Sequence, residues 1–465
     1  MIASIACLFA FSQQDAGFKY REYEADKIKP AEFAQRRREF GFRLPKGSVS
    51  VLVTNPLHQR SNDTDFRFRP NSYFWYLIGC EEKDSALIIA PEGITVDGKT
   101  VKEVLFVRDK NPGGETWTGI IMGPQVAKET LGVELVLSNK RFSEVLASTR
   151  PTSVSLVERP AGLSGGVLNM VTAYDNWSKT LAKDTTALRE LGNMRSIKSP
   201  AEIALTWKSI NATVAAHHEA LRSCEPGMRE YEIASLVEYV FAKNGCEAAA
   251  YGSIVGSGVH SCVLHYVEAR KLIEKGDFIC MDVGGEYHGY ASDVTRSYPA
   301  NGKFSPEQRA IYELVLEAQE AGVKACTVGV PFGTADQVAR KIVNDGLIRL
   351  GIITEAKEAG KYFMHGTSHY IGLDVHDTGD YGPLKANQIL TVEPGVYIKE
   401  GSPCDKKWWN IGVRIEDTVL ITDNGPVNMS GIGLPRSVAE IEKLMALPGL
   451  GNRPEGKVIG QKSGG

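Results

Sequence analysis

The sequence predicts two domains: a smaller α/β domain followed by a larger α+β domain. Three observations carry this reading. At 465 residues the chain is too long for one ordinary domain and comfortable for two. From about residue 30 to about residue 180, short β-favouring runs alternate with helical patterns. Beyond that, long helices opened by Ser-Pro signals alternate loosely with hairpin-like strands, which suggests α+β rather than a doubly wound sheet.

The first 30 residues stand apart. Ile2 to Phe11 is apolar and uncharged, and Ala10-Phe11-Ser12 gives a small-x-small pattern before Gln13-Gln14-Asp15. This resembles the hydrophobic and cleavage regions of a secretory signal, without the usual basic start. As a truncated signal it implies a secreted or periplasmic protein; otherwise a cytoplasmic one is expected. The run is too short to span a bilayer, so no stable membrane span is expected.

The α/β domain is expected over 31–180. Pro30 to Phe40 reads as a charged amphipathic helix with proline at its start. Arg36-Arg37-Arg38 within it reads as a solvated face. Val49 to Val53, Ala86 to Ala90 and Lys102 to Val107 read as strands. A boundary is expected around Asp175 to Ser199, then a catalytic domain over 187–448. Ser199-Pro200-Ala201-Glu202 supplies an N-cap serine, a proline and a glutamate for a helix to about Arg222. A second helix spans Glu230 to Lys243 and ends at Asn244-Gly245. Ser305-Pro306-Glu307-Gln308 opens a third, to about Val323. Strands are expected at Phe278 to Val283, Ala291 to Ser297, Ile389 to Ile398 and Gly412 to Ile421. Residues 449–465 form a Gly-rich tail expected to be flexible.

Composition narrows the function. Hydrophobic residues make up 43% and charged residues 23%, as in soluble globular proteins. A formal net charge of −3 gives no global attraction to nucleic acid, and no such partner is expected. None of the eight cysteines forms a C-x-x-C pair, so a zinc ribbon is not supported. Those in apolar runs, such as Cys280, read as small buried hydrophobes.

The chemistry lies in carboxylates placed inside apolar runs. Met281-Asp282-Val283 and Ser292-Asp293-Val294 are two. A hairpin turning at His288-Gly289 sets Asp293 opposite Gly284, so both carboxylates face one way. Buried together they repel unless a cation lies between them. His365, His369 and His376, three of the nine histidines, follow within a dozen residues. Glu393 ends an apolar run, and Glu416 shares a strand face with Arg414. Asp282, Asp293, Glu393 and Glu416 with one of these histidines make a hard, oxygen-rich donor set suited to Mn²⁺ and similar ions. Five such ligands can hold two ions and hydrolyse an amide.

The order of these five, within GGEYHGYASDVTR, MHGTSHYIGLDVHD, TVEPGVYI and GVRIEDTVLIT, resembles the aminopeptidase P branch of the methionine aminopeptidase/prolidase/creatinase family. The resemblance spans about residues 187 to 445. Arg60 to Asp65 and Asn71 to Tyr76 are similar to that branch's creatinase-type N-terminal domain. The resemblance implies a pita-bread fold for the C-terminal domain and a peptide substrate with proline second. It implies that Asp282 binds one ion, that Asp293 and Glu416 bridge two, and that His369 and Glu393 complete the ligand set of the second ion. It further implies a proton shuttle at Glu393, oxyanion donors at His376 or His265, and a substrate contact at His365. Arg414 would orient a neighbouring acid, and Tyr251 and Tyr397 would line the pocket. The substrate amine would sit by Asp282. Trp117 resembles a tryptophan that reaches a neighbouring subunit, implying a homo-oligomer, dimer or tetramer. A prolidase acting on Xaa-Pro dipeptides is the alternative; Tyr73 to Tyr76 and the chain length lean toward the aminopeptidase. A non-enzymatic peptide-binding module would have lost ligands, and none is lost.

Overall fold

The structure is a computed structural model that describes residues 25–452. The candidate signal segment therefore lies outside the described residues, as does most of the tail. The chain divides into two compact units, one ending at Leu191 and the other beginning at Gly192.

The first unit is built on a six-stranded mixed sheet. Its strands run, in spatial order, Leu135–Ser138, Lys99–Val107, Ala86–Val96, Ser48–Val53, Ser153–Leu156 and Ala182–Lys183. Ser48–Val53 is buried at every residue, as a central strand of a two-faced sheet must be. Val51, Ile88 and Phe106 pack on Phe142, Val145, Met170 and Val171 of the helices Phe142–Ser148 and Gly165–Trp177. Ala86–Val96 and Lys99–Val107 extend beyond the expected strands because Asp97-Gly98, both at positive φ, joins them in a tight hairpin.

One expectation here is corrected. In the helix Pro30–Arg43, Arg38 is exposed but Arg36 and Arg37 are buried. Arg37 donates to Glu103 at 2.8 Å and to the carbonyls of Leu77 and Gly132. Arg36 donates to the Tyr76 carbonyl and lies over the Tyr76 ring. The guanidinium's five donors let it tie main-chain ends together, which three arginines in a row do not reveal.

In the second unit, long helices cover short antiparallel sheets. Pro200–Ser223 and Pro306–Ala325 both start with reciprocal capping boxes, Ser199 with Glu202 and Ser305 with Gln308. Glu230–Lys243 lies where expected. The helix Thr334–Arg349 was not expected from sequence. It packs on Pro306–Ala325 at Gly346, where a Cβ would lie 2.1 Å from Leu314.

Two hairpins carry the site. Phe278–Val283 pairs with Val294–Pro299, with Asp282 opposite Thr295. The same register continues through Tyr287 opposite Tyr290 around His288-Gly289, so Asp293 faces Gly284 as expected. The expected strand Ala291 to Ser297 is interrupted at Ser292 and Asp293. The second hairpin corrects the sequence reading further. Ile389 to Ile398 divides into Ile389–Val392 and Gly395–Ile398, and its partner into Ile411–Arg414 and Asp417–Thr422. Register is unchanged across the break, which sets Glu393 opposite Glu416. Pro394 has no N–H to give the ladder. The glutamate N–H groups turn outward instead, Glu393 to Thr367 O at 2.8 Å and Glu416 to Thr295 O at 3.1 Å.

All described cysteines are free thiols, and six of them, Cys80, Cys224, Cys246, Cys262, Cys280 and Cys326, are buried. Among the described residues no helix is long and apolar enough to cross a membrane.

Candidate active site

The site forms where the two hairpins meet the segment 363–377. Tyr251 Oη lies 2.6 Å from Asp282 Oδ1 and 2.5 Å from Asp293 Oδ1. Arg414 Nη2 donates to Asp282 Oδ2 at 2.6 Å. His369 Nε2 lies 3.4 Å from Asp293 Oδ2 and 3.5 Å from Glu393 Oε1. Asp293, His369 and Glu416 offer ligand atoms within 4.8 Å of one another. Thus Asp282, Asp293, His369, Glu393 and Glu416 converge.

Their electrostatics describe a missing positive charge. Burial, then repulsion from Asp293, Glu393 and Asp282, pushes the Glu416 carboxyl well above the usual range. Burial and Asp282 also raise Asp293. Glu393 is pushed up to about 7, mainly by burial. Burial would raise Asp282 too, but Arg414 together with hydrogen bonds from Tyr251 and Asp293 holds the group low. Burial alone would lower His369; Asp293 and Glu393 win and raise it to about 9. Protons thus take the place a cation would fill. Glu416 Oε2 accepts from Thr295 at 2.7 Å, while Oε1 is buried with no hydrogen-bond partner. His369 Nδ1 donates to Tyr370 O at 3.0 Å, so exchange of the Nε2 proton for a cation would turn that lone pair toward the carboxylates. A neutral imidazole aimed this way, with an orphaned carboxylate oxygen beside it, fits a metal ion.

Around this cluster lie the other expected residues. His365 donates from Nδ1 to Gly366 O at 2.8 Å, and its Nε2 accepts from Tyr397 Oη at 2.8 Å. Burial lowers its pKa to about 4, so it is neutral. Tyr397 is buried and also accepts from Arg414 Nη1 at 2.9 Å, which places it one step behind His365. Arg414 donates to Leu264 O at 3.2 Å, steadying the residue before the exposed His265. His376 is exposed, with its ring edge-on to His369 at 4.4 Å. Burial, then the nearby His369 and His265, lower its pKa.

Sequence reasoning missed two supports. Thr295 links Glu416 to Arg414, whose Nε lies 3.3 Å from its hydroxyl. Arg340, on the unexpected helix, donates to the carbonyls of Phe363 and His365 at 3.1 and 2.6 Å. The register opposite Asp282 could have found Thr295; nothing local marks Arg340.

Residues 204–423 match the model of metallopeptidase family M24, and residues 33–155 match the aminopeptidase P N-terminal domain. A Haemophilus influenzae Xaa-Pro aminopeptidase is 34% identical over 431 residues, covering 90% of this chain and 98% of that protein. The chain belongs to metallopeptidase family M24. A Homo sapiens Xaa-Pro dipeptidase is 32% identical, covering 91% of this chain and 95% of that protein. The solved structure of zinc-substituted Escherichia coli aminopeptidase P in complex with product has a TM-score of 0.84 at 32% identity, covering 90% of this chain and 99% of that one. Family and fold together make this chain a metallo-aminopeptidase that uses divalent metal ions, with the N-terminal domain and pita-bread catalytic domain of aminopeptidase P.

Proposed function

We propose that the chain removes the N-terminal residue of peptides whose second residue is proline, with two Mn²⁺ ions held by Asp282, Asp293, His369, Glu393 and Glu416. The observation that carries the metal site is the buried, partnerless Glu416 Oε1 among carboxylates converging on His369 Nε2. Four carboxylates and one imidazole favour Mn²⁺ over a thiolate-seeking ion. Asp293 and Glu416 would help to hold both ions. When bound, such ions polarise a peptide carbonyl and lower the pKa of water.

The chain's own residues do the rest. Glu393 takes a proton from the attacking water and passes it toward the leaving proline nitrogen. His376 or His265 donates to the carbonyl oxygen as negative charge develops on it. Asp282, held by Arg414, receives the substrate's free amine. Tyr397 and Arg414 fix His365 at the pocket wall, where it contacts substrate. Trp117, on the surface at 88% exposure, supports assembly into a dimer or tetramer.

The test compares hydrolysis of Xaa-Pro-Yaa tripeptides with Xaa-Pro dipeptides, with and without Mn²⁺. Preference for the tripeptide and two Mn²⁺ per chain by elemental analysis are expected. Cleavage of dipeptides alone would favour the dipeptidase reading, which the human relative keeps in view. Failure to bind metal would refute the site.

A further inference from the structure

The exposed imidazole of His376 has no hydrogen bond among the described residues; its ring contact is the edge of His369 at 4.4 Å. Its placement therefore depends on the main chain around it. That main chain is held from one side. Asp377, the next residue, is 3% exposed, and its N–H donates to Tyr370 O at 2.8 Å. Its carboxylate receives Lys198 Nζ on Oδ2 at 2.7 Å and Arg195 Nη2 on Oδ1. The same Arg195 nitrogen reaches Asp374 Oδ2 at 2.6 Å, so one guanidinium spans residues on both sides of His376. Lys198 is itself fixed by donating to Arg195 O at 2.7 Å.

The cluster is dry. Arg195 and Lys198 are 1% and 2% exposed. Burial would raise the Asp377 carboxyl, but the two cations outweigh it and keep it ionised. At Gly372 a Cβ would lie 2.1 Å from Asp377 Oδ2 and 2.7 Å from Lys198 Nζ, so a glycine is what lets the ion cluster pass so close to the chain. Charges buried this deeply are costly unless paired, and paired they hold one geometry.

We propose that Arg195 and Lys198 are positioning residues that aim the His376 imidazole through their buried ion pairs with Asp377. They touch no substrate. The inference rests on the reading of His376 as an oxyanion donor. An imidazole without a bond of its own is only as well placed as its backbone, and a misplacement near 1 Å can cost about a hundredfold in rate.

Arg195→Lys keeps the charge, but the shorter side chain draws its nitrogen back from the Nη2 position that reaches both carboxylates. Lys198→Met removes one tie and keeps the aliphatic stem. Each is measured alone and combined with His376→Ala, with kcat and KM on an Xaa-Pro-Yaa tripeptide, Mn²⁺ content, and circular dichroism. Either variant that folds and keeps its metal is expected to lose about tenfold or more in kcat, with KM within about twofold. In the His376→Ala background the same substitution should change kcat by less than about twofold, because the residue it positions is gone. Full kcat in the single variants, or an equal fold-loss in both backgrounds, overturns the proposal. If His376→Ala alone keeps full turnover, the reading of His376 fails and this inference fails with it. If His376→Ala is inactive-like but the losses simply multiply, only this inference falls.

Discussion

The rings of His369 and His376 meet in a T-shaped contact, yet their substitutions are expected to fail differently. His369→Ala removes the imidazole whose Nε2 faces the carboxylates of Asp293 and Glu393. Metal content should fall, and excess Mn²⁺ should restore part of the activity. His376→Ala leaves all five donors in place, so both ions should remain while kcat drops by roughly 10²–10³. Elemental analysis beside kcat decides; metal loss in His376→Ala and none in His369→Ala would reverse the two roles. A different histidine governs stability. His217 is fully buried, donates from Nε2 to Val294 O at 3.0 Å, and leaves Nδ1 without a partner. Burial, then Arg296, lower its pKa to about 3. A depressed histidine stabilises the fold fully above its unfolded value of about 6.5, and that contribution drains away as pH falls toward 3. The slope is about 1.4 kcal/mol per pH unit. His217→Gln can keep the donor and cannot titrate. Between pH 7 and pH 5 the unaltered protein should lose about 2 kcal/mol more than this variant in urea unfolding. The converging carboxylates were legible because each acid interrupts an apolar run. Arg340 and Thr295 were not, since their roles depend on which strand or loop the fold brings beside them.

The first hairpin depends on Gly284, where a Cβ would lie 1.8 Å from Ser292 O. Gly284→Ala must push apart the strands that hold Asp282 and Asp293. A loss of about 1–3 kcal/mol is expected, with weakened Mn²⁺ binding. Unchanged metal affinity by titration calorimetry would show that the carboxylates tolerate the shift. This hairpin's register was readable because residue spacing about one tight turn fixes every pair. The second hairpin was readable only as two long strands. Its interruption depends on Glu393 and Glu416 giving their N–H groups to Thr367 and Thr295, partners distant in sequence. Helices with Ser-Pro starts were plain because their caps are local. Thr334–Arg349 follows Gly333, which makes no side-chain cap, and so announced itself weakly.

At the scale of the whole molecule, the donors all belong to the unit that begins at Gly192. A ligand stabilises the part that binds it, by an amount that grows with the logarithm of its concentration over Kd. Adding Mn²⁺ should slow hydrogen exchange across residues 278–299 and 389–421. The strands of the six-stranded sheet should exchange as before. Equal protection of both units would mean that the metal's effect is not confined to its binding unit. The two-domain division was legible from length and rhythm alone. The burial of Arg36 and Arg37 was not, because only the assembled domain brings the carbonyls of Tyr76, Leu77 and Gly132 to them.

The buried thiols make the protein its own clock. Burial pushes Cys224, Cys246, Cys262 and Cys326 up to about 12. At pH 8 only about one such thiol in ten thousand is ionised, and none meets solvent while the fold is closed. Cys404 is the described exception, being partly exposed. A disulfide dye should therefore label Cys404 quickly and the six buried thiols only as fast as the chain opens around them. Four of the six slow thiols, Cys224, Cys262, Cys280 and Cys326, lie in strands, helix ends and loops that border the catalytic hairpins. The colour released by the dye would thus time the opening of the enzyme's interior, without a probe having to be installed.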